Sequence, residues 1–148
     1  MSDLILPKAI KSLLDTHSDP NSVFAPLLPV LGEVLQCDRC FIYLRNPQTK
    51  LGKIVHWWRR NQQIPEITDT DWRLEPESLP TEDPLFAAAL RTDPSVYVED
   101  VETASLEVVN KEFEHQNFGH RALIHAHLCQ DGQLWGILKP EIFGQKRT

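Results

Sequence analysis

Two histidines that share one face of a predicted strand are the first candidates for chemistry in this sequence. In the run 122–128 the even-numbered residues are apolar, while His125 and His127 point the other way. Imidazoles at positions i and i+2 of a strand suit a metal or a haem iron, with Glu141 or His56 as a further ligand. The alternative is a pair of partly solvated histidines on a polar sheet face. We favour that alternative and predict no metal ligand.

Three cysteines, Cys37, Cys40 and Cys129, offer thiol chemistry. The spacing of Cys37 and Cys40 is that of a metal or redox dithiol, but no second such pair completes a zinc site. Cys37 ends a predicted helix and Cys40 begins a predicted strand, so their side chains are expected to point apart. An odd number of cysteines without framework spacing is typical of free thiols in a cytosolic protein, and we predict a cytoplasmic location.

Composition and motifs exclude several classes of function. No serine lies in a nucleophile elbow, and there is no glycine-rich phosphate loop, so no catalytic residue is predicted. The net charge of −6, from 15 basic and 21 acidic residues, argues against a nucleic-acid partner. The longest apolar run, around 24–35, is interrupted by proline, glycine and glutamate, so no membrane partner is predicted either.

A β-hairpin must position the two histidines. Strand-like runs flank the turn signal Gln130-Asp131-Gly132. The apolar faces of both strands meet in one core if a three-residue loop pairs Leu128 with Leu134, whereas a two-residue Asp-Gly turn would pair Leu128 with Trp135. We therefore predict the three-residue loop. The polar face then has these opposite pairs: Arg121 and Glu141, Leu123 and Lys139, His125 and Ile137, His127 and Trp135.

The other predicted elements form layers around this hairpin. Helical spacing predicts helices over 7–16 and 24–35, and Pro29 should kink the second one or delay its regular start. Asp83 is expected to cap a helix that begins at Pro84. One of the adjacent Trp57 and Trp58 should enter the core. The remaining predictions are strands over 40–45, 52–60 and 95–101, a short strand at 72–75 within the acidic loop 61–83, and a helix over 105–117.

Three stretches of the chain resemble a known family. They are 35–44 (LQCDRCFIYL), 91–101 (RTDPSVYVEDV) and 118–138 (FGHRALIHAHLCQDGQLWGIL). They resemble the GAF domain, a small-molecule-binding regulatory module, and look most like the GAF domains of phytochromes and cyanobacterial photoreceptors. The resemblance implies an α+β fold (an α/β sandwich) with a central antiparallel sheet of five to six strands. N-terminal helices would cover one face, and pocket helices and a loop the other. We predict one domain over 1–148, with an N-terminal helix in 1–21, a GAF core over 22–143 and a tail over 144–148.

The sequence departs from the bilin-binding members at three positions. Those members carry a Cys-His pair nine residues before the glycine matched by Gly119, where this chain has Asn110 and Lys111. The position of a chromophore-contacting serine holds His125, and that of a pocket histidine holds Glu141. No covalent bilin is therefore expected at the usual place, and the cofactor stays unknown. The motif of cyclic-nucleotide GAF domains, an Asn-Lys followed by Phe and Asp-Glu, is absent as well.

The resemblance implies a non-enzymatic sensory or regulatory module that binds a small polar or anionic ligand, a protein partner, or both. Two alternatives stay open: a thiol-dependent reductase of free methionine sulfoxide with the GAF fold, and a GAF domain that binds a metal, or a bilin or haem non-covalently. The apolar face of the hairpin also needs a cover, so we predict a homodimer built on the N-terminal helices. The predicted pocket residues are Phe113, Phe118, Arg121, His125, His127, Lys139 and Glu141.

Overall fold

The computed structural model describes residues 22 and 24–144 of the 148-residue chain. The predicted helix over 7–16 and most of the predicted tail lie outside these residues. The described part contains a six-stranded sheet in the order β3-β2-β1-β6-β5-β4, with antiparallel neighbours throughout. This confirms the predicted α+β fold. The strands are β1 Arg39–Arg45, β2 Leu51–Arg59, β3 Arg73–Leu74, β4 Val96–Val98, β5 Ala122–Gln130 and β6 Gln133–Ile142; the helices are α1 Leu27–Leu35, α2 Leu79–Glu82, α3 Pro84–Leu90 and α4 Lys111–Asn117.

Helix α1 covers one face of the sheet. Its regular part begins only after Pro26, so Pro29 falls in the first turn, where the missing N–H disrupts no helical hydrogen bond. Residues 22 and 24 are also helical, and a turn at 25–26 separates them from α1, so the predicted helix over 24–35 is interrupted near Pro29. The buried residues of α1, Leu28 and Gly32, face the sheet. The core on this side consists of Phe24, Leu28, Cys37, Cys40, Ile42, Leu44 and Leu128, with Trp58, Trp72, Trp135 and Leu138 packed around it. Within the described residues, no helix is long and apolar enough to span a membrane.

Gly32 lets α1 approach the sheet closely. A Cβ atom at this position would lie 2.2 Å from the ring of Trp58. In an ordinary helix interior, glycine to alanine stabilises by about 0.5–1 kcal/mol. Here we expect Gly32→Ala to destabilise the protein by about 1–3 kcal/mol, because the methyl group forces α1 away from Trp58. Urea unfolding measures the change. Glu33→Ala at an exposed position of α1 is the control, and an unchanged or raised stability of Gly32→Ala would contradict the prediction.

The hairpin register differs from the predicted one. Asp131 and Gly132 have φ of 55° and 73° and form a two-residue turn, closed by Gln130 opposite Gln133. Cys129 then pairs with Leu134, but Leu128 pairs with Gly136, so Trp135 is the extra residue of a β-bulge. The predicted three-residue loop is therefore wrong. The two-residue Asp-Gly turn suits the twist of the strands. Without the bulge this turn would pair Leu128 with Trp135, and the bulge moves the pairing of Leu128 to Gly136.

The bulge also changes the face of the sheet on which residues lie and their cross-strand partners. Leu134 packs with Phe86 and Ala89 on the face opposite α1, whereas Leu138 packs with the core under α1. The predicted cross-strand pairs are replaced by Ala122 with Ile142, Leu123 with Glu141, Ala126 with Leu138 and His127 with Ile137.

The face of the sheet opposite α1 is covered by α2, α3, α4 and the segments between them. Asp83 caps α3 by accepting a hydrogen bond from the Leu85 amide at 3.1 Å, as predicted. The helix predicted over 105–117 is shorter than expected, because it begins after Asn110, whose side chain accepts from the Phe113 amide. The predicted strand 95–101 is reduced to Val96–Val98.

Candidate functional site

A cavity of about 330 Å³ lies between the sheet and the cover formed by α2, α3, α4 and the preceding loop. Its walls are mainly aromatic and aliphatic, which is typical of small-molecule sites. Residues of the 61–83 segment close one side, as expected for that long loop. The lining consists of Phe41, Tyr43, Gly52, Ile54, Asp69, Arg73, Leu74, Glu75, Pro76, Leu79, Asp83, Phe86, Phe113, Phe118, His125, Ile137 and Lys139.

Lys139 places a positive charge on the floor of the cavity. Its side chain is only 3% exposed, and Nζ lies 3.5 Å from the ring centroid of Phe118 and 5.4 Å from that of Phe41. Within the described part of the chain, no carboxylate lies within salt-bridge distance of this ammonium group and no acceptor hydrogen-bonds to it. Cation–π contacts alone satisfy a buried ammonium incompletely, so Lys139 is available to an anionic ligand group.

His125 lies beside Lys139 on the same floor. Leu123 faces Glu141 and Ala126 faces Leu138, so the positions of His125 and Lys139 fall opposite each other in that register. His125 Nδ1 is 2.8 Å from His127 Nε2, and His127 Nδ1 is 2.8 Å from the carbonyl oxygen of Asp93. Burial, followed by the charge of Lys139, holds the pKa of His125 well below its usual range. His125 is therefore neutral at physiological pH.

Asp83 is a second titratable group at the cavity. Its carboxylate is buried, and burial raises its pKa to about 6, although the positive charge of Lys139 opposes this shift. The same carboxylate caps α3, so its position is set by the helix. The cavity therefore contains an acid that changes charge in the physiological pH range.

The rim next to Asp83 and α2 is held by an ion pair. Glu75 Oε1 and Oε2 accept from Arg45 Nη2 and Nε at 2.7 and 2.8 Å, and Oε2 accepts from the Tyr43 hydroxyl at 2.6 Å. Burial, with help from Glu75, raises the pKa of Tyr43 above its usual range. A Cβ at Gly52 would lie 1.8 Å from the Tyr43 hydroxyl, so only glycine leaves room for this ring.

A buried charged network lies behind the floor. Arg39 Nε and Nη2 donate to the two carboxylate oxygens of Glu141 at 2.5 and 2.8 Å. His120 bridges Glu141 and Glu114, with Nδ1 2.5 Å from Glu141 Oε2 and Nε2 2.6 Å from Glu114 Oε1. Burial would raise the pKa of Glu141, but the hydrogen bonds from Arg39 and His120 outweigh it and lower that pKa. This network joins β1, β6 and α4.

The structure brings together four of the seven predicted pocket residues: Phe113, Phe118, His125 and Lys139 line the cavity. The other three do not line it. His127 hydrogen-bonds to His125 on the side away from the cavity, and the carboxylate of Glu141 accepts hydrogen bonds from Arg39 and His120.

Arg121 is bound to Asp100, with Nε 2.6 Å from Oδ1, so the predicted cross-strand pair of Arg121 and Glu141 is wrong. The predicted three-residue loop had placed the two residues opposite each other, but in the observed register Glu141 faces Leu123, and Arg121 pairs with Asp100 instead. Phe41, Tyr43 and Asp83 also line the cavity and were not predicted from the sequence. The alternation of Phe41 and Tyr43 along β1 was the available signal for the first two.

The cysteines are not placed at the cavity. Cys37 and Cys40 lie in the core under α1, and neither they nor Cys129 line the cavity. The prediction that Cys37 and Cys40 point apart is wrong: their thiols hydrogen-bond, and this contact chiefly lowers the pKa of Cys37. In the described ranges, no group of three or more histidine, cysteine or acidic side chains could hold a metal ion.

Comparison with known proteins places this architecture in a family. The family model for the GAF domain matches residues 19–140. No curated protein sequence matches the chain. Solved structures similar to it are photoreceptor GAF domains, and at these low identities they support the fold.

Three of these structures represent the group. The blue-light-absorbing form of the PixJ GAF domain from Thermosynechococcus elongatus is 20% identical, with a TM-score of 0.62 over 100% of this chain and 76% of that one. The phycocyanobilin-bound GAF domain of a cyanobacterial phytochrome is 16% identical, with a TM-score of 0.64 over 100% and 83%. The photoproduct state of GAF3 from Slr1393 of Synechocystis sp. is 25% identical, with a TM-score of 0.56 over 86% and 79%. With most of its length matched by the family model, the chain belongs to the GAF domain family.

Proposed function

We propose that this GAF domain is a cytoplasmic sensory or regulatory module, not an enzyme, and that it binds a small polar or anionic ligand in the cavity. The observation that carries the proposal is Lys139, a buried residue on the cavity floor whose ammonium group has aromatic contacts but no carboxylate within salt-bridge distance among the described residues. A bound anion would supply the missing partner. The volume of about 330 Å³ is at the lower end of the range for small-molecule sites, about 300–1,000 Å³.

Retention of a ligand by the purified protein tests this proposal. We expect native mass spectrometry to detect a small molecule on the wild-type protein, and Lys139→Met to lose it because the positive charge is gone. Lys53→Met is the matched control, since the flanking Gly52 and Ile54 line the cavity and Lys53 therefore lies on the opposite face of β2. Absence of any retained molecule, together with no binder in a screen of cellular metabolites, would reject the proposal. Equal retention by Lys139→Met would reject the role of Lys139.

The reductase alternative needs a reactive thiol at the substrate. None of the three cysteines lines the cavity, and burial raises the pKa of Cys129, the thiol nearest the hairpin turn. These placements favour a binding module. We propose that a thiol-dependent assay with free methionine sulfoxide will show no turnover, and turnover lost on Cys129→Ser would establish the reductase instead.

We also predict that the chain carries no covalent bilin, although a solved relative is described as phycocyanobilin-bound. Asn110 stands where the resemblance places the attaching cysteine, and here its side chain caps α4 and donates to the carbonyl of Glu82 at 2.9 Å. Co-expression with bilin biosynthesis should give no zinc-fluorescent band at this chain's mass after denaturing electrophoresis. A fluorescent band would contradict the prediction, and peptide mapping would identify the cysteine used.

A homodimer through the N-terminal helices stays a prediction. Val30 and Val34, one turn apart on α1, are 57% and 72% exposed in the described structure and supply an apolar stripe for such an interface. We expect light scattering at high micromolar concentration to give twice the mass of one chain, and Val30→Glu with Val34→Glu to halve it. A monomeric mass for the unaltered protein would exclude the dimer.

A further inference from the structure

We propose that the cavity selects small aromatic acids that carry a hydroxyl group, because its floor offers a fixed hydrogen-bond acceptor, His125 Nε2, beside the cation of Lys139. This inference rests on the proposed function and names the chemical class of its ligand.

The acceptor follows from the chain of hydrogen bonds behind His125. A backbone carbonyl can only accept, so His127 Nδ1 must donate to the oxygen of Asp93. In neutral His127 the Nε2 atom is then unprotonated and accepts, so His125 Nδ1 must carry the proton that it shares with His127. His125 is neutral, so its Nε2 has no proton. The ring nitrogen of His125 that remains for a ligand, Nε2, therefore has a lone pair, and the ligand must donate a hydrogen bond to it.

The cation lies next to this acceptor. His125 and Lys139 occupy opposite positions on β5 and β6, where Cβ atoms are about 4.5–5.5 Å apart. Both side chains line the same cavity. A ligand that satisfies both must therefore carry a hydrogen-bond donor and an anionic group, and a hydroxyl group on a small ring is the donor of our proposal.

The walls select the body of the ligand. Phe41, Phe86, Phe113 and Phe118 line the cavity, and the ring of Phe118 stacks on that of Phe41 with centroids 6.0 Å apart. Flat aromatic rings fit such walls through stacked and edge contacts. A phenolic acid combines this body with the two polar groups that the floor requires.

Discrimination against close analogues is the expected consequence. A methoxy group replaces the donor by an oxygen lone pair, which would face the lone pair of His125 Nε2 and leave it unsatisfied. A carboxamide removes the charge that complements Lys139. Each change should weaken binding by about tenfold or more, because a buried polar group is left without its partner.

Calorimetric titration at pH 8 with the 2-, 3- and 4-hydroxybenzoates, the matching methoxybenzoates and the matching hydroxybenzamides tests the inference. We expect at least one hydroxybenzoate to bind about tenfold or more tightly than both of its analogues. Lys139→Met should abolish the preference for carboxylate over carboxamide. His127→Phe, which frees the tautomer of His125 without altering a lining residue, should reduce the hydroxy-to-methoxy ratio towards one and leave the carboxylate preference intact. His115→Phe on the exposed side of α4 is the control and should change neither ratio.

Two results would overturn the inference. One is that every hydroxybenzoate that binds has the same affinity as its methoxy analogue, and the other is no binding by any hydroxybenzoate at millimolar concentration. Neither result rejects the binding of some other ligand, which the retained-ligand measurement decides by itself. An unchanged hydroxy-to-methoxy ratio in His127→Phe would show that the His127 relay does not set the acceptor.

Discussion

Replacing Arg39 by methionine will lower the free energy of unfolding by about 3–5 kcal/mol, as is usual when one partner of a buried ion pair is removed. Arg39 and Glu141 are 1% and 0% exposed, and Arg39 also donates to the carbonyls of Pro65 and Phe118. Without the guanidinium group, Glu141 keeps only His120 as a side-chain hydrogen-bond partner among the described residues, and two carbonyls lose their donor. Urea unfolding at pH 7 measures the loss.

Arg59→Met is the matched control, because the ion pair of Arg59 with Glu66 lies at the surface and contributes less than about 1 kcal/mol. The double change Arg39→Met with Glu141→Leu should be less destabilising than the two single changes added together, since it leaves no unpaired charge between β1 and β6. A loss below about 1 kcal/mol for Arg39→Met would show that the buried pair does not hold the sheet together.

The same network makes stability dependent on pH. The folded-state pKa of Glu141 is lowered, so its contribution is fully present above the ordinary glutamate pKa of 4.5 and is lost as pH falls through the lower folded-state value. The Arg39→Met defect should therefore shrink on acidification below about pH 4.5, where the unfolded state takes up its proton first.

Asp83→Asn will raise the free energy of unfolding by about 1–3 kcal/mol at pH 8. The pKa of Asp83 rises from 3.8 to about 6 on folding, so the folded state binds the proton more tightly than the unfolded state. Stability therefore decreases as pH rises from about 4 to above 6, by up to about 3 kcal/mol at 1.36 kcal/mol per pKa unit. Asparagine removes this cost and still caps α3 through its side-chain oxygen.

The size of this effect should depend on pH. Near pH 4 the two proteins should have the same stability, because Asp83 is then protonated in the folded state. Asp71→Asn, at an exposed position of the 61–83 segment, should change little at either pH. If Asp83→Asn lowered stability at pH 8, the attraction between Asp83 and Lys139 would outweigh the cost of burying the charge.

The sequence by itself determined the α+β class, the position of most elements and the GAF resemblance, because these depend on local patterns. Strand alternation identified the two faces of the hairpin as far as the bulge, Pro29 indicated the break before α1, and Asp83 before Pro84 marked the start of α3. The same alternation placed His125 and Lys139 on one polar face, and both line the cavity.

Only the tertiary structure decided the register and the polar partnerships. A bulge at Trp135 adds one residue to β6, and the alternation of apolar and polar residues does not predict a bulge. The predicted pairing of Arg121 with Glu141 was therefore wrong. Arg39 and Glu141 are 102 residues apart, and their pairing depends on β1 lying beside β6 in the sheet. The carbonyl of Asp93, which sets the proton positions of His127 and His125, also comes from a distant segment. For residues this far apart in the sequence, the fold determines which charged or hydrogen-bonding groups pair. Several acids and bases in the sequence could pair with a given side chain, and only the assembled sheet brings one of them next to it.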